Sequence, residues 1–193
     1  MTAGTLHVIC GEMFSGKSQE LSRLIERESL AEHHTLVILP THANRHSPRD
    51  ISRRIPPLPY VTVVEVSEPV NWSTIPIDQI DTIAIDEAQF FGPDLVMIVK
   101  EWRRAGKHII IAGLDLDIYE RPFGSMGDFL CLANTITKLH AVCGDCKRQD
   151  AAISYRLSEE TAQIVVGDRQ YVPLCYACYS RRKSQSALYQ NRA

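Results

Sequence analysis

Three groups of residues have the types and spacing to do chemistry. Gly11-Glu12-Met13-Phe14-Ser15-Gly16-Lys17-Ser18 follows the pattern G-x-x-x-x-G-K-S. The glycines of such a loop permit torsions that aim successive N–H groups at phosphate oxygens. A following helix N-terminus adds positive potential. Lys17 would then reach the β- and γ-phosphates of ATP, and the Ser18 hydroxyl would help hold Mg²⁺. Asp86 and Glu87 are adjacent acids closing the apolar run Ile83-Ala84-Ile85. Two neighbouring carboxylates with a cation between them can divide roles, one serving the metal and one accepting a proton. The pair alone leaves two readings of Glu87, polarising a water molecule as in an ATPase or a substrate hydroxyl as in a kinase. A strand-end turn is the plainer reading of Asp86.

The third group is Cys143/Cys146 and Cys175/Cys178, two C-x-x-C pairs. Each pair puts two thiolates on one tight turn, and two turns supply the four tetrahedral ligands of a structural Zn²⁺. The 28 residues between Cys146 and Cys175 exceed the commonest spacing of about 15 to 20. A redox C-x-x-C would need only one pair, and free core thiols are the remaining alternative. Metal binding makes roughly 10 to 16 kcal/mol available to fold a lobe too small to hold itself together. Cys10 and Cys131 lie singly in apolar surroundings.

These groups must be positioned by regular elements. "TLHVIC" at 5 to 10 predicts a strand and the segment from Lys17 predicts a helix, with Leu21, Leu24, Ile25 and Leu30 recurring at helical spacing. "TLVILP" at 35 to 40 predicts a second strand closed by Pro40. Residues 41 to 59 carry Arg45, Arg49, Arg53, Arg54 and four prolines without a sustained period, the composition of a mobile basic loop. Strands follow at 61 to 66, 82 to 86 and 108 to 113, with a helix from about 93 to 105 between Pro93 and Gly106. A short helix at 125 to 134 and a strand at 135 to 142 complete the pattern.

Apolar strands alternating with helices predict an α/β fold, a P-loop (RecA-like), mostly parallel sheet with helices on both faces. Ligands collect outside the carboxyl ends of such strands. Residues 1 to 142 form this nucleotide-binding domain. Residues 143 to 180 form a small zinc-binding β-rich lobe around "AAISYRL" and "AQIVVG", and 181 to 193 a polar tail, frayed or disordered. There is no internal repeat.

At 193 residues and 45% hydrophobic, the chain can bury a real core. Net charge of -2 and a pI of about 6.4 give no general attraction to nucleic acid or anionic membrane, so bound phosphate must be held by local groups. No apolar segment approaches the roughly 18 to 20 residues of a membrane helix, and the N-terminus lacks a basic region before an apolar core. A cytoplasmic protein is expected.

"GEMFSGKS", "DEAQFF", "GLDLDIYERPFG", "TKLHAVCGDC" and "YVPLCYAC", in that order, resemble the zinc-containing cytosolic (type II) thymidine kinase family over about residues 1 to 180. The resemblance implies transfer of the γ-phosphate of ATP to the 5′-hydroxyl of thymidine or deoxyuridine, with Mg²⁺ catalytic and Zn²⁺ structural. It also implies a homotetramer inhibited by the end product dTTP, with no nucleic-acid or membrane partner. By resemblance Glu87 is the catalytic base and Arg45 stabilises the transferring phosphoryl group. Gly11, Met13, Phe14, Ser15, Gly16, Lys17, Ser18, Asp86 and Gln89 serve the nucleotide cofactor. Met13, Gln89, Phe90, Leu114, Ile118 and Phe123 fall on nucleoside-pocket positions, and Ser154, Val165 and Tyr171 on a lobe segment that closes over the base. Cys143, Cys146, Cys175 and Cys178 are the metal ligands.

Three features depart from the family or stay open. The basic loop lacks an acid two residues before Arg45, which leaves Arg49 as a rival. Ile118 stands where a phenylalanine is frequent, removing a ring contact of about 0.5 to 1.5 kcal/mol. Plain core packing is the other reading of Phe90, Phe91 and Phe123, and Tyr171 would equally pack beneath the zinc site. The rival functions are a P-loop ATPase acting on nucleic acid, which shares "DEAQ", and a zinc-stabilised nucleotide sensor without turnover.

Overall fold

In the computed structural model, residues 3–41, 57–148, 150–158, 160, 162, 165 and 170–186 are described. Six short strands form the sheet; the four inner ones are buried on both sides and need cover on both faces, which their connections supply. The six are β1 (Leu6–Cys10), β2 (Thr35–Pro40), β3 (Val61–Val66), β4 (Thr82–Ile85), β5 (His108–Gly113) and β6 (Thr135–Lys138). All pair in parallel, in the order β3-β2-β4-β5-β1-β6.

From β1 the chain runs one way across the sheet to β2, through α1 (Lys17–Leu30). From β4 it runs the other way, through α2 (Asp94–Arg104) to β5 and through α3 (Met126–Leu132) to β6. Right-handed crossovers in opposite directions put helices on opposite faces. Accordingly Leu21, Leu24 and Ile25 of α1 pack on Ile9, Val37, Ala84 and Ile110. Leu95, Val99 and Trp102 of α2, with Met126 and Phe129 of α3, pack on Val8, Ile38, Ile85 and Ile111. Alternate residues of one strand thus serve two cores, and all six carboxyl ends share one edge.

Beyond β6 lies the lobe, an antiparallel pair β7 (Ile153–Arg156) and β8 (Tyr171–Leu174) followed by α4 (Tyr176–Lys183). Its core holds Cys143, Ile153, Tyr155, Leu174, Cys175, Cys178 and Tyr179, and Ile118 joins it from the loop after β5. Among the described residues no helix is long and apolar enough to cross a membrane.

The structure departs from the sequence expectations in four places. Leu30 is 87% exposed; in its stretch of α1 it is Ser29 that is buried, donating to Pro59 O at 2.6 Å. The strand expected over 135 to 142 ends at Lys138, because β1 turns into the Gly11 loop after a last bond from Leu139 N to Cys10 O at 2.9 Å. The short helix covers 126–132, inside its expected limits. In the tail, Arg181, Arg182 and Lys183 belong to α4 and do not fray. The expected strand "AQIVVG" lies mostly outside the described residues, as do Arg45, Arg49 and residues 42–56 of the loop expected over 41 to 59.

The phase of α1 is testable. Leu21→Ala, at a fully buried site, should cost about 2 to 5 kcal/mol in urea unfolding, and Leu30→Ala less than about 0.5 kcal/mol. Equal losses would mean that Leu30 is buried.

Candidate functional site

The loop between β1 and α1 turns on two glycines with positive φ. Gly11 and Gly16 have φ of 139° and 93°. A Cβ on Gly11 would stand 2.1 Å from Leu139 O, so no other residue fits there. Gly16 caps α1, whose first residue, Lys17, is buried. Its Nζ donates to Glu12 O at 2.7 Å, so the loop's own carbonyl holds the ammonium. Burial pulls the Lys17 pKa down, opposed by the carboxylates of Glu87 and Asp86.

Asp86, at the end of β4, is 5% exposed. Burial and then the Glu87 charge push its pKa up to about 7, against the Glu87 N–H, Lys17 and a Ser18 hydrogen bond. The Ser18 hydroxyl and the Asp86 carboxylate therefore meet at the start of α1. Glu87 has φ 53° and ψ 40°, a left-handed conformation that costs a non-glycine residue on the order of 1 kcal/mol or more. Its N–H donates to Asp86 Oδ1 at 2.9 Å. Gln89 Nε2 donates to Glu87 Oε2 at 2.5 Å, and Gln89 Oε1 accepts from Leu114 N at 3.1 Å. Gln89 is thus a strut between the acid and the end of β5. Two glycines make room for it, since Cβ atoms on Gly113 and Gly124 would lie 2.8 Å from Gln89 Oε1 and 2.4 Å from Gln89 O.

Around this centre, Phe90 and Phe123 meet edge to face at 5.9 Å, while Phe91 is core, against Trp72 at 5.4 Å. Met13 N–H donates to Ser154 Oγ at 2.8 Å, which joins the phosphate loop to the lobe. Tyr171 OH donates to Val165 O at 2.8 Å and accepts from Arg156 Nη2 at 2.9 Å. The structure therefore brings together the Gly11–Ser18 loop, Asp86, Glu87, Gln89, Leu114 and Ser154. Ile118 packs in the lobe core.

Sequence reasoning missed three groups here. Asp115, buried, pairs with Lys138 Nζ at 2.9 Å. Arg156, 1% exposed, donates to Glu160 O at 2.9 Å and to Ala162 O. Glu12 is also buried. Asp115 stands in the quoted loop "GLDLDIYERPFG", but nothing in its spacing distinguishes it from Asp117.

The four Sγ atoms of Cys143, Cys146, Cys175 and Cys178 lie within 4.8 Å of one another, with Cys146 to Cys175 at 3.9 Å. Thiolates about 2.3 Å from a tetrahedral ion stand about 3.8 Å apart, so the cluster fits zinc. Its acid–base state points the same way. Burial pushes the Cys143 thiol up, but N–H groups of Cys175, Cys146 and Asp145 and the Cys146 side chain bring it down to about 6. Burial and the neighbouring thiols push Cys178 up to about 12. One thiolate forms readily and the last does not, unless a cation sits among them.

Two outcomes follow. The folded pKa of Asp86 near 7 lies above its ordinary 3.8, so the folded chain holds an extra proton between those values. The stability this group contributes is complete below about pH 4 and is lost as pH rises towards about 7. Asp86→Asn should therefore gain stability relative to the parent as pH rises from about 4 to about 7 in nucleotide-free urea unfolding. A pH-independent difference would contradict the assignment. Purified protein should also contain equimolar zinc by metal analysis. Removing it with a chelator should weaken the near-ultraviolet dichroism of Tyr155 and Tyr179, both buried around the cluster.

Comparison with known proteins agrees with this geometry. A family model described as thymidine kinase matches residues 4–179. A thymidine kinase of Porphyromonas gingivalis is 36% identical over 185 residues, covering 94% of this chain and 87% of its own. One from Bacteroides fragilis is 36% identical over 179 residues, 92% of this chain and 88% of its own. Another, from a Rhodothermus species, is 37% identical over 191 residues, 97% of this chain and 87% of its own. Matched along nearly its whole length, and carrying the phosphate loop, the acid pair and the cysteine cluster in one frame, the chain belongs to the thymidine kinase family.

Proposed function

We propose that this chain transfers the γ-phosphate of ATP to the 5′-hydroxyl of thymidine, and also of deoxyuridine, in nucleotide salvage. The observation that carries this reading is Glu87. Its carboxylate is fixed by the Gln89 strut beside Lys17 and Asp86, on the edge that the Met13–Ser154 bond links to the lobe. A strained acid braced in this way suits a base that must meet one substrate hydroxyl, and phosphoryl transfer depends mainly on positioning and charge.

In this reading Gly11, Met13, Phe14, Ser15 and Gly16 shape the cradle for the triphosphate. Lys17 leaves Glu12 O for the β- and γ-oxygens. Ser18 and Asp86 would hold Mg²⁺, which when bound neutralises charge on the phosphates. Glu87 takes the proton from the 5′-hydroxyl as that oxygen attacks the γ-phosphorus. Arg45, with Arg49 as its rival, supplies positive charge to the transferring group. Met13, Gln89, Phe90, Leu114 and Phe123 line the nucleoside pocket. Ile118 shapes it from the lobe side, and Ser154, Val165 and Tyr171 belong to the segment that covers the base and keeps water from the γ-phosphate. The working units are the nucleotide domain 1–142, the zinc lobe 143–180 and the tail 181–193. The active form is a cytoplasmic homotetramer inhibited by dTTP.

The test is purified protein with Mg-ATP, with and without thymidine, following thymidine monophosphate and free phosphate together. Monophosphate should form only with thymidine, and phosphate release without it should be slight. Thymidine-independent release stimulated by single-stranded DNA would mean an ATPase acting on nucleic acid. Glu87→Gln should lower turnover by roughly 10² to 10⁴ and leave ATP binding nearly intact. A loss of ATP binding would make Glu87 structural.

A further inference from the structure

The second residue of the phosphate loop is a buried acid that the proposed reaction does not use. Glu12 is 3% exposed. Its Oε1 accepts a hydrogen bond from Ala141 N–H. Its Oε2 is buried with no hydrogen-bond partner among the described residues and lies 3.5 Å from His140 Nδ1. That nitrogen faces Ala151 O at 2.9 Å, so it carries the hydrogen. Burial pushes the Glu12 pKa up, and the Ala141 bond and His140 oppose it.

A carboxylate is a costly way to fill space, because burying it with one oxygen lacking a hydrogen bond forfeits hydration that an apolar residue would never need. Its placement supplies a reason. Residues 139–142 form the strap from the end of β6 to Cys143, the first cysteine of the cluster. The first half of the phosphate loop is pressed on that strap and on the lobe at three successive residues. Gly11 lies under Leu139 O, Glu12 holds Ala141 N–H, and Met13 N–H reaches Ser154 Oγ. Glu12 also accepts Lys17 Nζ on its main-chain carbonyl. One residue therefore touches the phosphate-side lysine through its backbone and the road to the metal cluster through its side chain.

We propose that Glu12 is a positioning residue whose carboxylate locks the phosphate loop to the 139–142 strap, coupling nucleotide binding to metal retention in the four-cysteine lobe. This rests on the ATP and zinc assignments above and not on which molecule receives the phosphate. Coupling of this kind is reciprocal: nucleotide that stabilises the locked loop must slow metal loss, and an intact lobe must tighten nucleotide binding.

The experiment uses the full zinc-loaded chain, a non-hydrolysable Mg-ATP analogue and no thymidine. Zinc transfer to a chromogenic chelator is timed with and without the analogue, and analogue affinity is measured by calorimetry. In the parent the analogue should slow transfer about fivefold or more. In Glu12→Ala that protection should vanish and the analogue dissociation constant should rise by a similar factor. Glu12→Gln, which keeps the length and the acceptor oxygen, should restore both. Glu12→Asp, which keeps the charge but is too short to reach Ala141 N–H, should not, and it carries the test if the alanine variant does not fold. A merely structural Glu12 would speed transfer equally with and without analogue, leaving the ratio untouched. That result, a parent without protection, or a glutamine variant no better than alanine would overturn the proposal. Thymidine phosphorylation plays no part in these readings, so failure of the kinase reading would leave them standing, and failure of the coupling would leave the kinase reading standing.

Discussion

An ammonium group sealed from water is the constraint around which this site is arranged. Lys17 is buried at the carboxyl edge of the sheet, where its charge has lost hydration and must recover it from oriented oxygens. The sheet topology makes this possible. Because the chain leaves β1 and β4 towards opposite faces, the loops after these strands share one edge without helices between them. Glu12 O then supplies a direct acceptor, while Asp86 and Glu87 supply the nearby negative charge. The compensation is mutual. Asp86 is itself so poorly hydrated that it ionises only near neutrality, and part of what holds it down is Lys17. A polyphosphate arriving here brings negative charge to the lysine, and a divalent cation brings positive charge to the acid. Each ion's partner is waiting half-compensated, so binding does not have to break a strong pair first.

The same edge shows how a strained acid is held. Left-handed backbone at Glu87 is unfavourable by itself, and two polar contacts oppose it, the Asp86 bond to its N–H and the Gln89 bond to its carboxylate. Gln89 can act only because Gly113 and Gly124 leave space against its side chain and backbone. Larger residues there would move the strut before they touched any ligand. Control of Glu87 therefore extends to the end of β5 and the loop after it, elements that carry no reacting group.

What could be read from the sequence divides along physical lines. Strands buried on both faces show as unbroken apolar runs, which is why β2, β4 and β5 were legible to within a residue, and the glycines of the phosphate loop and the doubled C-x-x-C need no tertiary context. Other features depend on neighbours distant in sequence. Leu30 satisfies a loose apolar count but lies off the stripe of α1, where a serine bonding to Pro59 O is buried instead. The end of β6 is decided by where β1 leaves the sheet. Helix α4 looks like a charged tail because its stabilising partners are Asp145 and Glu120, some 37 and 63 residues away. Nothing local to Glu12 signals its burial, which depends on its bond to Ala141, 129 residues away.

The lobe's stability has to be weighed against its task. Arg182 grips Asp145 with two bonds of 2.6 and 3.0 Å, and Lys183 meets Glu120 at 2.8 Å. Partly exposed pairs such as these contribute about 0 to 1 kcal/mol each. The buried apolar cluster is small and is itself built around the cysteines. A metal bound by the four cysteines would add roughly 10 kcal/mol or more, far above the ion pairs and of the same order as burial of so small an apolar cluster. Ile118 ties that order to the loop after β5, because its side chain belongs to the lobe core while Asp115, earlier in the same loop, lies close enough to Lys17 to act on its charge. An isoleucine fills this position without a ring to offer a base, so its clearest contribution is to docking the loop on the lobe. The ordering of the cysteine cluster and the position of the loop after β5 are, in part through that side chain, a single packing problem.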